Sequence, residues 1–142
     1  MPKILFIKLT ATSSCNLEYV QGGFFMSENK VVFHIDKFDK WNLLLKDVSI
    51  LLDALSNDKF YIEVLATSEA VKFYDTNEIL STDVNFMRNL NDRGIKFVAC
   101  NNSLTTYHIK KDDIINFVDI APMGTLELIN KQSEGYIYLK AW

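Results

Sequence analysis

The sequence predicts an α/β fold with three layers, α/β/α, around a mainly parallel five-stranded sheet. Short apolar runs rich in β-branched residues alternate with segments of helical periodicity five times along the chain. Such alternation implies right-handed crossovers between parallel strands. The chain has 142 residues, 49% of them hydrophobic and 23% charged, so it can bury a core on both faces of a sheet. We therefore expect one domain over residues 26–142.

The first strand and the first helix of this domain fall between residues 31 and 57. Residues 31–35 form a compact β-branched run, which is typical of a buried strand. We expect Asp39 to cap the following helix and Asn57 to end it. Apolar residues recur there at offsets of 3 and 4, the pattern of an amphipathic helix, at Trp41, Leu44, Leu45, Val48, Leu51, Leu52 and Leu55.

The middle of the chain predicts two more strands, at residues 60–65 and 95–99. Hydroxyls in the stretch Ala66-Thr67-Ser68 are expected to cap a short helix over residues 69–74. A longer helix follows, capped by Ser81 or Thr82 and ended by Gly94. Its apolar face comprises Val84, Phe86, Met87 and Leu90.

The last third of the chain completes the alternation. Residues 111–116 are expected to form one or two helical turns, and residues 117–121 a fourth strand. A turn at residues 122–124 leads into a helix that stops at Gly135, with Leu126 and Ile129 facing inward. Residues 136–139 form the last strand.

Composition and motifs exclude several classes of function. The net charge is −3 and the 15 Lys and Arg residues are scattered, so nucleic acid is not an expected partner. No apolar run approaches the roughly 18–20 residues that span a bilayer, so no membrane association is expected. The chain lacks Gly-x-Gly-x-x-Gly and Gly-Lys-Ser/Thr loops, and its Cys and His spacings match no zinc motif. We expect no cofactor and no metal.

Residues 1–25 precede the predicted domain as an extension. Their apolar run is short, contains a lysine and is followed by no Ala-x-Ala pattern, so it does not resemble a secretory signal. Codons for Gly22-Gly23 resemble a ribosome-binding site shortly before Met26, which makes Met26 one candidate for the true start. An extra strand followed by a linker is the other interpretation, and both stay open.

Cys100 is the first candidate for a functional residue. It follows the predicted strand 95–99, and the carboxyl ends of parallel strands are where open α/β sheets bind ligands. Amides of Asn101, Asn102 and Ser103 at a helix start are expected to lower the pKa of this thiol, and Asn102 and Ser103 to hydrogen-bond its anion. The alternative is an inert thiol, because free cysteine packs as a small hydrophobe. The only other cysteine, Cys15, lies too far away to suggest a disulfide framework, which favours a reducing, cytoplasmic location.

His34 is the second candidate. It lies near the carboxyl end of the first predicted strand, where it is expected to support chemistry at the same sheet edge. A histidine packed in the core and hydrogen-bonded to a neighbour is the alternative.

Four segments together resemble the DsrE/DsrF-like family, and the match runs in order over residues 30–140. They are Val-Val-Phe-His-Ile-Asp at 31–36, Lys-Trp-Asn at 40–42, Gly-Ile-Lys-Phe-Val-Ala-Cys-Asn-Asn-Ser-Leu at 94–104 and Gln-Ser-Glu-Gly-Tyr-Ile-Tyr at 132–138. The stretch 66–69 and the terminal Lys140-Ala141-Trp142 depart from the family pattern.

The resemblance implies a compact α/β domain that forms homo-oligomers, commonly trimers or hexamers. It also implies intracellular sulfur handling, in which a cysteine carries sulfur as a persulfide between donor and acceptor proteins. That role maps onto Cys100. Two functions therefore stay open: a sulfurtransferase-like carrier, and a non-catalytic homo-oligomeric binding module for a small ligand or protein partner in which Cys100 is structural.

Overall fold

A computed structural model describes residues 28–142 of the chain. The predicted extension of residues 1–25 and the alternative start at Met26 lie outside the described residues. Strands and helices follow one another in the predicted order. No helix in this part of the chain is long and apolar enough to cross a membrane.

Five strands and four α-helices make up the described domain, together with three 3-10 segments. The strands are β1 (Asn29–Ile35), β2 (Phe60–Ala66), β3 (Ile95–Cys100), β4 (Val118–Ala121) and β5 (Ile137–Lys140). The helices are α1 (Trp41–Ala54), α2 (Ser81–Asp92), α3 (Asn101–Thr106) and α4 (Gly124–Ser133). The 3-10 segments are Phe38–Lys40, Ser68–Tyr74 and Lys111–Asp113.

The five strands form one sheet in the order β4-β3-β2-β1-β5, and every neighbouring pair is parallel. The chain moves in one direction from β1 to β4 and then crosses back over the sheet to β5. Right-handed crossovers place the helices of opposite steps on opposite faces. The first three connections therefore share one face, and α4 covers the other.

The face that carries α1 and α2 holds most of the core. Inward side chains of β1, β2 and β3 pack there against α1, the 3-10 segment Ser68–Tyr74 and α2. Trp41 stacks on Phe73 with ring centroids 4.7 Å apart, and its indole N–H donates to the carbonyl of Ala70 at 2.9 Å. The predicted leucine stripe of α1 is confirmed as the side that faces the sheet.

The opposite face has a much smaller core, which we call the α4 layer. Leu128 of α4 and Tyr136 pack over one buried residue from each of four strands. Near the amino ends of the strands, Tyr61, Lys96 and Asp119 stay exposed on this face. The four buried strand residues are Val32, Leu65, Val98 and Ala121.

Several local predictions are wrong. Leu126 and Ile129 do not face inward: they are 49% and 55% exposed, because Gly124, Leu128 and Lys131 occupy the inner side of α4. Phe86 lies on the outer side of α2 and is 40% exposed.

The predicted helix caps are also wrong. Asp39 lies inside the 3-10 turn, and Lys40 takes the N-cap position of α1 without a side-chain hydrogen bond. Thr67 and the start of α2 likewise lack side-chain caps. Gly94 does end α2, with a φ of 104° that favours glycine.

Candidate functional site

The carboxyl ends of β1, β2 and β3 open into a cleft of about 390 Å³, which we call the Cys100 cleft. The start of α4 forms its opposite wall. Four predicted site residues meet here: Cys100, Asn102 and Ser103 from one segment, and His34 from a distant part of the sequence. The full lining comprises His34, Thr67, Ser68, Cys100, Asn102, Ser103, Thr106, Tyr107, Met123, Gly124, Thr125 and Leu128.

Cys100 is the last residue of β3 and the N-cap residue of α3. Its Sγ accepts a hydrogen bond from the backbone N–H of Gly124 at 3.2 Å. That N–H belongs to the first turn of α4, where amides have no partner within the helix. The starts of two helices therefore converge on one sulfur, and only 5% of Cys100 is exposed.

Burial and hydrogen bonding act in opposite directions on the Cys100 thiol. Burial raises its pKa, because a thiolate is poorly solvated there. The hydroxyl and backbone N–H of Ser103 lower the pKa, as do the N–H groups of Gly124 and Asn102. The donors prevail, so the pKa of Cys100 lies below its usual range and more of this thiol is ionised at a given pH than in a free cysteine.

Ser103 is held in place by the loop after β2. The backbone N–H of Ser68 donates to the Ser103 Oγ at 2.7 Å. Because a lone pair of the Ser103 Oγ accepts this bond, the Ser103 hydroxyl can still donate its own proton to the sulfur of Cys100. Ser68 has a φ of 53°, a left-handed conformation that side chains other than glycine rarely adopt.

Gly124 lies where a larger residue would not fit. A Cβ on Gly124 would lie 2.5 Å from the Thr67 Cγ2 and 3.4 Å from the Cys100 Sγ. The absence of a side chain thus lets the start of α4 approach both β2 and the sulfur.

A chain of hydrogen bonds runs along the cleft from Thr67, directly after β2, to the edge strand β5. His34 lies in its middle, with Nε2 2.8 Å from the Thr67 Oγ1 and Nδ1 2.9 Å from the Tyr138 hydroxyl. Burial lowers the pKa of His34, an effect that Lys140 reinforces and Asp36 opposes. The neutral imidazole is therefore favoured, and it can donate from one nitrogen and accept at the other.

Not all of the predicted site residues lie at the Cys100 cleft. Cys100, Asn102, Ser103 and His34 all line the Cys100 cleft, whereas Asn101 does not. Within residues 28–142, no group of three or more His, Cys, Asp or Glu side chains is arranged to hold a metal ion. Cys15 lies outside the described residues.

Sequence reasoning missed four residues at this site: Thr67, Ser68, Gly124 and Tyr138. Thr67 and Ser68 were expected only as helix caps, and Gly124 only as part of a turn. A glycine directly after a strand and a turn, opening a helix, was the one available signal for close approach of backbone to a ligand or side chain.

Comparison with known proteins identifies a family, and solved structures that share the fold are among the matches. A family model described as the DsrE/DsrF-like family matches residues 47–141. MTH1491 from Methanobacterium thermoautotrophicum, described as a protein of unknown function, is 32% identical, with a TM-score of 0.69 over 79% of this chain and 98% of that one. The ychN protein from E. coli shares the fold at 14% identity, with a TM-score of 0.62 over 78% of this chain and 98% of that one. No curated protein matches the chain.

Proposed function

Because this chain belongs to the DsrE/DsrF-like family, we propose that it is a sulfur carrier that holds sulfur as a persulfide on Cys100. Family membership suggests a role of the sulfur-relay type. The observation that carries the proposal is the 3.2 Å hydrogen bond from the Gly124 N–H to the Cys100 sulfur. A sulfur that receives such a bond, in a cleft at the carboxyl edge of the sheet, is suited to act as a thiolate nucleophile.

The proposed chemistry is an exchange of one S–S bond for another. The Cys100 thiolate attacks the outer sulfur of a donor persulfide, R–S–SH. A bond forms between the two sulfurs while the S–S bond of the donor breaks, and the donor leaves as a thiolate. An acceptor thiolate then attacks the outer sulfur on Cys100, and Cys100 leaves as the thiolate. Neither step needs an oxidant or a reductant.

The lining of the Cys100 cleft supports a donor of low charge. It contains hydroxyl, amide and apolar groups but no Lys, Arg, Asp or Glu. A polyanion would lose water there without gaining a cation, which is unfavourable. A persulfide that carries at most one charge and is presented by a partner protein fits this lining, so we propose protein donors and acceptors.

We also propose that the chain forms a homo-oligomer, a trimer or a hexamer, and works in the reducing cytoplasm. The resemblance to the family suggests the assembly. Exposed apolar side chains support it, since such side chains are often buried at interfaces. Leu126 and Ile129 lie on the outer side of α4, and Ile137 and Leu139 lie on β5 at the opposite face of the sheet.

Mass spectrometry of the intact protein after treatment with a persulfide donor tests the carrier. We expect one added sulfur atom, lost on treatment with a thiol acceptor. The addition should be absent in Cys100→Ser and present in the matched Cys15→Ser variant. A folded protein whose Cys100 stays unmodified by reactive sulfur would contradict the proposal.

A second candidate function is the non-catalytic binding module, in which Cys100 only packs. The 5% exposure of Cys100 favours it, because a buried thiol is protected from large reactants. The two functions differ in alkylation by a small reagent. If the protein is a carrier, Cys100 should be alkylated at neutral pH faster than its low exposure suggests. If Cys100 only packs, it should be alkylated only when the protein unfolds.

A further inference from the structure

Glu63 of β2 is the one buried charged or polar residue among residues 28–142, with 1% of it exposed. It points from the middle of the sheet toward α4. Within this part of the chain, neither carboxylate oxygen has a hydrogen bond of good geometry. Burying a charged group without a partner is costly, so this carboxylate requires compensation.

Lys131 of α4 supplies that compensation. Its Nζ lies 3.4 Å from the Glu63 Oε2, and the lysine side chain itself is only 14% exposed. Its other partners, Glu127 at 3.8 Å and Glu134 at 3.7 Å, are both on or next to its own helix. The ammonium also lies 4.9 Å from the ring centroid of Tyr136. Among residues 28–142, the contact with Glu63 is thus the one ion pair of Lys131 that joins α4 to the sheet.

The other attachments of α4 are few. Gly124 is its single buried residue, and Leu128 packs partly buried over the small α4 layer beside Tyr136, which follows the helix. The same helix carries the Gly124 N–H that meets the Cys100 sulfur at one end and Lys131 at the other. The contact of α4 with the sheet at Lys131 and its contact with the thiol at Gly124 are therefore made by the same helix.

We propose that the buried Glu63–Lys131 pair holds α4 against the sheet in the position that lets the Gly124 N–H reach the Cys100 sulfur. Neither residue touches the reacting atoms. The inference deepens the proposed function and rests on it for its biological role. The geometry at the thiol can nevertheless be measured without any sulfur transfer.

Two single variants test this in a Cys15→Ser background, in which Cys100 is the remaining thiol. Glu63→Gln removes the carboxylate, and Lys131 keeps its two helical partners. Lys131→Met removes the ammonium, and Glu63 then takes up a proton. Both proteins should therefore stay folded, as circular dichroism would check. The readout is the pH midpoint of alkylation of Cys100 by iodoacetamide, which reports the thiol–thiolate equilibrium.

The sign of the two shifts separates positioning from a simple field effect. If α4 loosens, the thiolate loses part of a charge-assisted hydrogen bond in either variant, and both midpoints rise by about one pH unit. A field effect alone predicts a lower midpoint for Glu63→Gln, because losing a negative charge favours the thiolate, and little change for Lys131→Met, because the proton on Glu63 offsets the lost ammonium charge. Any result other than two raised midpoints would overturn the proposal.

Matched controls complete the experiment. Arg93→Met removes an exposed ion pair with Asp53 at 2.7 Å on the opposite face of the sheet, and its midpoint should equal that of the parent. Lys131→Arg keeps the charge and should also keep the midpoint. If neither test variant folds, Leu128→Ala loosens α4 without changing a charge: a higher midpoint supports the proposal, and an unchanged one overturns it. Failure of sulfur uptake by the parent protein, with both midpoints still raised, would refute the carrier and leave the positioning role intact.

Discussion

Replacing Gly124 by alanine tests how the approach of α4 sets the acidity of the Cys100 thiol. The new Cβ would lie 2.5 Å from the Thr67 Cγ2, whereas ordinary contact begins near 3.4 Å. Thr67 cannot simply rotate, because its hydroxyl is bound to His34 at 2.8 Å. The start of α4 must therefore move by about 0.9 Å, and the 3.2 Å contact between the Gly124 N–H and the sulfur lengthens toward about 4 Å.

Two magnitudes follow from this displacement. Hydrogen bonds to charged groups contribute about 1.5–3 kcal/mol, and one pKa unit corresponds to about 1.4 kcal/mol. Losing most of this bond raises the pKa of Cys100 by about 1 unit, and the thiolate fraction at neutral pH falls accordingly. Overpacking of this kind costs about 1–3 kcal/mol of stability, which lowers the Tm by roughly 3–10 °C.

The assay combines the alkylation midpoint of Cys100 with thermal unfolding, both in the Cys15→Ser background. The matched rescue is Thr67→Ser, which removes the obstructing methyl group and keeps the hydroxyl that binds His34. The double variant Thr67→Ser/Gly124→Ala should return to the midpoint of the parent. A folded Gly124→Ala protein with an unchanged midpoint and Tm, or a double variant without rescue, would refute the steric reasoning.

Three further predictions concern the loop, the histidine and the outer side of α4. Ser68→Val should be about 1–2 kcal/mol less stable than Ser68→Gly in denaturant unfolding, since a left-handed φ of 53° penalises a β-branched side chain; equal stabilities would contradict this. Because the pKa of His34 is lowered below 6.5, the unfolded chain binds more protons there, and stability should decline as the pH falls through about 6.5. His34→Gln should lack this component of the decline, and identical pH profiles of the two proteins would count against it. Leu126→Lys/Ile129→Lys should leave the fold unchanged and reduce the mass measured by sedimentation from oligomer to monomer, whereas a wild-type chain that is already monomeric would argue against the proposed assembly.

Most of the sheet could be predicted because the strand residues are apolar over short runs. Val31 to Phe33 and Phe97 to Cys100 are buried on both faces, and such strands are continuous runs of hydrophobic residues that end abruptly. The helical stripe that begins at Trp41 was equally clear, because one helix face packs on one large core. Cys100 was found for the same reason, as the point where such a run stops.

The orientation of α4 could not be predicted because its inner side is partly polar. Leu126 and Ile129 have the spacing of a buried stripe, but periodicity does not say which stripe meets the sheet. Here Lys131 faces inward to meet the buried Glu63, and this turns the two apolar residues outward. The sequence does not reveal the partner of this carboxylate, because Lys131 lies 68 positions further along the chain and meets Glu63 only in the folded protein.

The approach of Gly124 to the sulfur was hidden for a related reason. This approach depends on the position of Thr67 and on the path of the chain from β4 to α4. The local residue pattern predicts neither of them. The left-handed Ser68 is similarly a product of tertiary contacts, since serine has no intrinsic preference for that conformation.

The pairing of β5 with β1 bears on how the protein is made. The hydrogen bond between His34 and Tyr138 joins residues 104 positions apart, and a contact of that separation forms after most of the chain between them is in place. During synthesis, residues emerge from the amino end, so β1 lacks its neighbour on one side until β5 has left the ribosome. A nascent chain that stops before α4 already contains Cys100 but lacks the Gly124 amide, so we expect its thiol to acquire its full acidity only after the start of α4 has been made.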